Sequence, residues 1–236
     1  MKTFLLFDID GTLLYSDKID SRCFADSYEA TFGKPFPTID WTRYPHVTDH
    51  VIFRTAYTGH FGREATQGER EQFEAHYLDQ LRTKRAQTPT DFREVPGAAA
   101  LWKQLQADER FVLGIATGGW QRPAAVKLAH VGIPHRPPYA AYADGMETRE
   151  DILGAAIALA KREHDIQRVV YVGDALWDLR TTTNMQLPFI GIRHRGDHDT
   201  LRRAGARTVI TDYRDPSAFI ELAQRVGLGA RAGGAA

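Results

Sequence analysis

A single cysteine, Cys23, stands among 236 residues. It excludes an intrachain disulfide and any multi-cysteine zinc or iron–sulfur site, and it fits a cytoplasmic chain better than a disulfide-stapled secreted one. An excess of either charge is also missing, because 30 Lys plus Arg balance 30 Asp plus Glu. Coating nucleic acid without sequence preference needs a basic surplus to displace counterions. No nucleic-acid partner is therefore expected. Long apolar runs are absent too, and nothing approaches the ~18 residues that span a bilayer. The run Phe4-Leu5-Leu6-Phe7 after Met1-Lys2-Thr3 is cut by Asp8 and Asp10, short of the ~7 residues of an export core. Neither a membrane span nor a signal peptide is expected. Low complexity is confined to the ending Gly227–Ala236, read as a fraying tail without chemistry.

What remains is ordinary globular composition, 43% hydrophobic and 25% charged. A chain of this size buries about 70% of its unfolded surface without staples. Short apolar runs at Phe4–Phe7, Phe111–Ala116, Val169–Val172, Phe189–Ile192 and Thr208–Ile210 read as strands buried on both faces. Helical periodicity lies between them, as in Ala98–Gln106 and Ile152–Lys161. This alternation predicts an α/β fold, a doubly wound parallel sheet with a Rossmann-like core. From about Leu14 to Phe92 no strand pattern is found, only helices over Ser21–Phe32, Asp49–Tyr57 and Glu69–Lys84. Their aromatic stripes, Phe24/Tyr28/Phe32 and Phe73/Tyr77, read as core. The expected division is a catalytic core of residues 1–14 and 94–226, a helical cap domain of 15–93 and a tail of 227–236.

Ligands of open α/β sheets bind beyond the carboxyl ends of the strands, so the residues at those ends are the candidates for chemistry. The first carries Asp8-Ile9-Asp10-Gly11-Thr12-Leu13, and period-two alternation predicts both carboxylates on one side of the tip. The second carries Thr117-Gly118-Gly119, a hydroxyl with free backbone N–H groups, and the third Gly173-Asp174-Ala175-Leu176-Trp177-Asp178. Four carboxylates at one rim repel one another unless a cation neutralises them. A hard oxygen set without Cys or His favours Mg²⁺, with Mn²⁺ a substitute. A carboxylate whose charge is so offset can attack phosphorus, and its neighbour can move the proton. Thr117 and nearby N–H groups suit phosphoryl oxygens, and one cationic side chain is still needed.

Asp8-x-Asp10-Gly11-Thr12-Leu13, Thr117 after an apolar strand, and Gly173-Asp174-x-x-x-Asp178 together resemble the first, second and fourth motifs of the haloacid-dehalogenase-like (HAD) superfamily. The aspartate two residues after the first points to its phosphatase and phosphomutase branch, and the likeness runs from Lys2 to about Leu222. It implies that Asp8 is nucleophile and metal ligand. Asp10 would be general acid/base, lending its backbone carbonyl to the metal. Thr12, Thr117 and Gly118 would bind the phosphoryl group, Asp174 would ligate Mg²⁺, and Asp178 would support it directly or through water. The family's Lys-Pro-x-Pro segment is absent, which leaves Arg149, at a helix start, ahead of Lys127 as the cation. In the loop Trp41–Asp49, Arg43 and His46 are candidate contacts to the leaving group. The His46/His50 and His194/His198 spacings find no third ligand and are read as structural. The implied activity is Mg²⁺-dependent hydrolysis of a small phosphorylated metabolite, phosphoglycolate phosphatase-like, by a monomer or homodimer. The alternatives are a β-phosphoglucomutase-like phosphomutase and a catalytically weak binding protein of the same fold.

Overall fold

A computed structural model describes residues 2–134, 137–193 and 195–227. His194 of the His194/His198 spacing, and residues 228–236 of the expected tail, lie outside the described residues.

Six parallel strands form the central sheet: β1 (Lys2–Phe7), β4 (Phe111–Ala116), β5 (Ala140–Ala141), β6 (Ile166–Gly173), β7 (Phe189–Ile192) and β8 (Val209–Ile210). Their spatial order is β5-β4-β1-β6-β7-β8. The chain leaves β1 towards β4 and β5, then crosses back to β6 and runs outwards. The crevice between the ends of β1 and β6 is therefore the topological switch point. Strand β1 lies between β4 and β6, and Phe4, Leu5, Leu6 and Phe7 are buried. That burial on two faces explains why its sequence is apolar without alternation. In β4, Gly114 leaves room for the Phe4 ring and the Tyr139 carbonyl, both of which a Cβ would strike.

Helices α4 (Ala98–Gln106), α5 (Gln121–His130), α6 (Arg149–Glu163), α7 (Leu176–Asn184), α8 (Thr200–Arg203) and α9 (Pro216–Arg225) connect and flank the strands. Between β1 and β4 the chain inserts α1 (Asp17–Phe32), α2 (Asp49–Phe61) and α3 (Gln67–Gln87). Local sequence fixes their ends. Gly33 closes α1 in the left-handed region at φ 64°, Thr48 caps α2 by accepting Val51 N–H, and Thr66 and Glu69 form a capping box on α3. Phe24 and Phe73, read as core, meet edge-on at 4.9 Å, and Phe53 of α2 stacks on Phe73 at 4.9 Å.

The expectation that no strand interrupts Leu14–Phe92 needs correction at its edges. Leu14–Tyr15 (β2) pairs antiparallel with Arg93–Glu94 (β3), forming a two-stranded ribbon where the insertion leaves and returns. Two-residue strands carry no periodicity, so the sequence shows them only as breaks between longer patterns.

Candidate active site

The carboxylates of Asp8, Asp174 and Asp178 converge at the switch point, with one oxygen from each within 4.8 Å of the others. Asp8 follows β1, Asp174 follows β6, and Asp178 projects from the first turn of α7. The backbone here has room for nothing larger. Gly11 adopts φ 75°, and a Cβ on it would run into the Asp174 carboxylate. A Cβ on Gly173 would come 2.6 Å from Asp178 Oδ2.

Arg149, at the first turn of α6, supplies a cation. Its Nη1 lies 2.7 Å from Asp178 Oδ1 and 3.8 Å from Asp8 Oδ1. Asp178 also accepts the Ala175 N–H at 3.0 Å, and the Tyr171 hydroxyl bonds the Ala116 carbonyl at 3.1 Å beside it. Asp8 Oδ1 is buried and accepts no hydrogen bond from the described residues. Burial, only partly offset by Arg149 and reinforced by Asp178 and Asp10, pushes the Asp8 carboxyl up to about 7. Burial, then the charges of Asp178 and Asp8, holds Asp174 well above the usual carboxylate range. Three carboxylates this close, only partly offset by Arg149, could hold a divalent cation. Their all-oxygen donor set is that of a hard ion.

The Asp10 carboxylate is not one of these three, although its charge still reaches Asp8. Strand β1 ends at Phe7, and Asp10 already forms a bridge with Leu14, so the alternation of an extended strand no longer governs it. Its carboxylate turns to Lys127, whose Nζ sits 2.6 Å from Oδ2, while the Ser16 hydroxyl donates to Oδ1. The two candidate cations thus divide the work: Arg149 stands by Asp8 and Lys127 by Asp10.

Thr117 is buried at the tip of β4, where its Oγ1 accepts the Gly119 N–H at 3.3 Å. Thr12 is fully buried, and its hydroxyl has no hydrogen-bond partner among the described residues. Gly118 lies under the insertion: a Cβ there would be 2.5 Å from the Val47 carbonyl and 2.9 Å from Arg149 Nη2. Arg43 ends an exposed 3-10 turn, Trp41–Arg43, and is not brought into the carboxylate cluster.

Sequence reading missed the contacts by which the insertion grips the strand tips. Asp49 donates its N–H to the Gly118 carbonyl at 2.7 Å, and its Oδ2 accepts the Trp120 N–H at 2.9 Å. Arg149 Nε donates to the Val47 carbonyl at 3.3 Å. Trp120 inserts its indole among Phe73, Phe53 and Phe24 at 5.8, 5.9 and 6.0 Å. An indole directly after Gly118-Gly119 at a strand tip was the available signal.

The family of haloacid dehalogenase-like hydrolases matches residues 5–192. The chain belongs to that family. No curated protein matches it. Among solved structures, a hydrolase from Pseudomonas syringae is 20% identical with a TM-score of 0.64, covering 94% of this chain and 99% of that one. A predicted phosphatase from Clostridium acetobutylicum is 18% identical with a TM-score of 0.57, covering 95% and 97%. CbbY from Rhodobacter sphaeroides, solved with phosphate, is 17% identical with a TM-score of 0.61, covering 92% and 97%. At these identities the likeness shows a shared fold. Among the described residues of this HAD-family protein, no helix is long and apolar enough to cross a membrane.

Proposed function

We propose that this HAD-family protein is a phosphatase that hydrolyses a small phosphate monoester through an aspartyl-phosphate on Asp8. The observation that carries the reading is Asp8 Oδ1, a buried carboxylate oxygen with no hydrogen bond among the described residues, beside Arg149 and within the Asp174/Asp178 cluster. Such an oxygen is costly in a protein unless it serves a ligand or a reaction. The fold shared with a predicted phosphatase and with a protein solved with phosphate supports the substrate class.

In this mechanism Asp8 attacks phosphorus and the bond to the leaving oxygen breaks, while Asp10 donates a proton to that oxygen. Asp10 then takes a proton from water, which attacks phosphorus, breaks the acyl-phosphate bond and frees Asp8 and inorganic phosphate. The hydroxyls of Thr117 and Thr12 and the Gly118 N–H would hold the phosphoryl oxygens, and Arg149 would offset their charge. Asp8, Asp174 and the Asp10 carbonyl would hold Mg²⁺, with Asp178 supporting directly or through water. The ion supplies the positive charge that lets an anionic carboxylate meet an anionic phosphoryl group. Residues 15–93 would serve as a cap that excludes bulk water, in keeping with the grip of Val47 and Asp49 on the strand tips.

The test is phosphate release from 4-nitrophenyl phosphate and a panel of small phosphomonoesters, with Mg²⁺ and with chelator. Metal-dependent turnover that Asp8→Asn abolishes is the expected result. Turnover surviving in Asp8→Asn, or none by the wild type on any phosphomonoester, would overturn the reading.

A further inference from the structure

Lys127 lies in the last turn of α5, only 3% of its side chain is exposed, and its ammonium touches two carboxylates from different parts of the fold. One is Asp10, at 2.6 Å, on the loop that follows β1. The other is Asp20, at 2.9 Å, in the first turns of α1 of the insertion. Asp20 Oδ1 also accepts the Tyr77 hydroxyl of α3 at 2.6 Å, so two insertion helices converge on the atom that Lys127 grips. With the Ser16 hydroxyl on Oδ1 and Lys127 on Oδ2, both oxygens of Asp10 are held.

Burying an ammonium costs several kcal/mol per ion before pairing, and replacing such networks with apolar side chains is often neutral or stabilising. Stability alone is therefore a weak reason for this arrangement. Its geometry has a more specific result. A lysine ammonium carries three donors on one atom, so a single group can reference the direction of one carboxylate to the position of another.

We infer that Lys127 is a positioning residue, which aims the carboxyl of Asp10 at the leaving oxygen and registers that aim to α1 through Asp20. This rests on the acid/base role proposed for Asp10. The step affected is donation of the Asp10 proton to the leaving oxygen as the P–O bond breaks. A strongly basic leaving oxygen depends on that proton, and a weakly basic one does not.

Phenyl phosphate and 4-nitrophenyl phosphate separate the cases, being similar in shape and different in leaving-group basicity. The measure is kcat/KM, which reports the first irreversible step, transfer to Asp8. Lys127→Met is expected to lower kcat/KM for phenyl phosphate at least ~10-fold more than for 4-nitrophenyl phosphate. Asp20→Asn, which keeps the ammonium and loosens its anchor, is expected to shift the ratio in the same direction by a smaller factor. If Lys127→Met does not fold, the double variant Lys127→Met/Asp20→Asn replaces it, since it leaves one carboxylate fewer beside the missing ammonium. Equal losses on both substrates, or no loss, would overturn the positioning role. An unchanged ratio in Asp20→Asn would overturn the link to α1. A wild type inactive on both substrates would instead remove the phosphatase reading, and this inference with it.

Discussion

Arg149 Nη1 stands 2.7 Å from Asp178 Oδ1, and neither side chain meets solvent appreciably, at 10% and 0% exposure. The attraction of Asp178 and Asp8 holds the guanidinium in its charged form despite burial. Removing one partner of a buried pair strands the other. Arg149→Met is therefore expected to lower unfolding free energy by about 3–5 kcal/mol in urea denaturation, and Arg149→Met/Asp178→Asn by less. Additive losses from the two single variants would show that the residues do not work as a pair.

The carboxylate cluster predicts a stability that depends on divalent cations. A ligand at 100 times its Kd stabilises the folded state by about 2.7 kcal/mol. In a chain of this size that raises Tm by roughly 5–10 °C. Mg²⁺ should produce such a rise in the wild type and little in Asp174→Asn. Titration calorimetry should give matching affinities, and equal Mg²⁺ binding by the two proteins would rule the cluster out.

Gly118 is pressed between a backbone carbonyl and a guanidinium. Its added Cβ would lie 2.5 Å from the Val47 oxygen and 2.9 Å from Arg149 Nη2. Arg149 can swing aside, but the carbonyl moves only if the insertion lifts. Gly118→Ala should cost about 1–3 kcal/mol of stability. Its loss of turnover should exceed that of Arg149→Lys, measured against 4-nitrophenyl phosphate at saturating substrate.

Asp49 gives a prediction about pH. Burial first, then the charge of Asp20, raises its carboxyl to about 7 from an ordinary 3.8. The folded state binds this proton more tightly than the unfolded one. The resulting stability is complete below pH 3.8 and is lost as pH rises through about 7. Asp49→Asn has no such titration. Its Tm relative to wild type should therefore be higher at pH 8 than at pH 5, and a difference that is flat with pH would refute the assignment.

The sheet and the triplet Asp8, Asp174 and Asp178 were legible because each depends on a local signal. Continuous apolar strands mark a buried sheet, and acidic residues directly after such strands mark its ligand-binding rim. Arg149 could be found from its place at a helix start. The partners of the Asp10 carboxylate were not legible, because β1 ends at Phe7 and the turn at Gly11 carries the chain out of strand geometry. Lys127, Asp20 and Asp49 act only across the fold, between segments dozens of residues apart. Nothing in a charged residue's neighbours along the chain announces which distant carboxylate it will meet. The indole of Trp120 could be noticed at its strand tip, but its partners could not, since they lie on α1, α2 and α3.

The ribbon of Leu14–Tyr15 on Arg93–Glu94, tightened by the Val95 N–H to the Leu13 carbonyl at 2.9 Å, has an evolutionary consequence. It brings the two ends of a long excursion side by side, so the strands beyond it are blind to how much polypeptide lies in between. Closing a longer loop costs only about 0.6 kcal/mol per doubling of length. Helices can then be added, trimmed or exchanged in that excursion while the aspartates beneath keep their places. Such a junction lets the surroundings of one carboxylate cluster be refitted without rebuilding it.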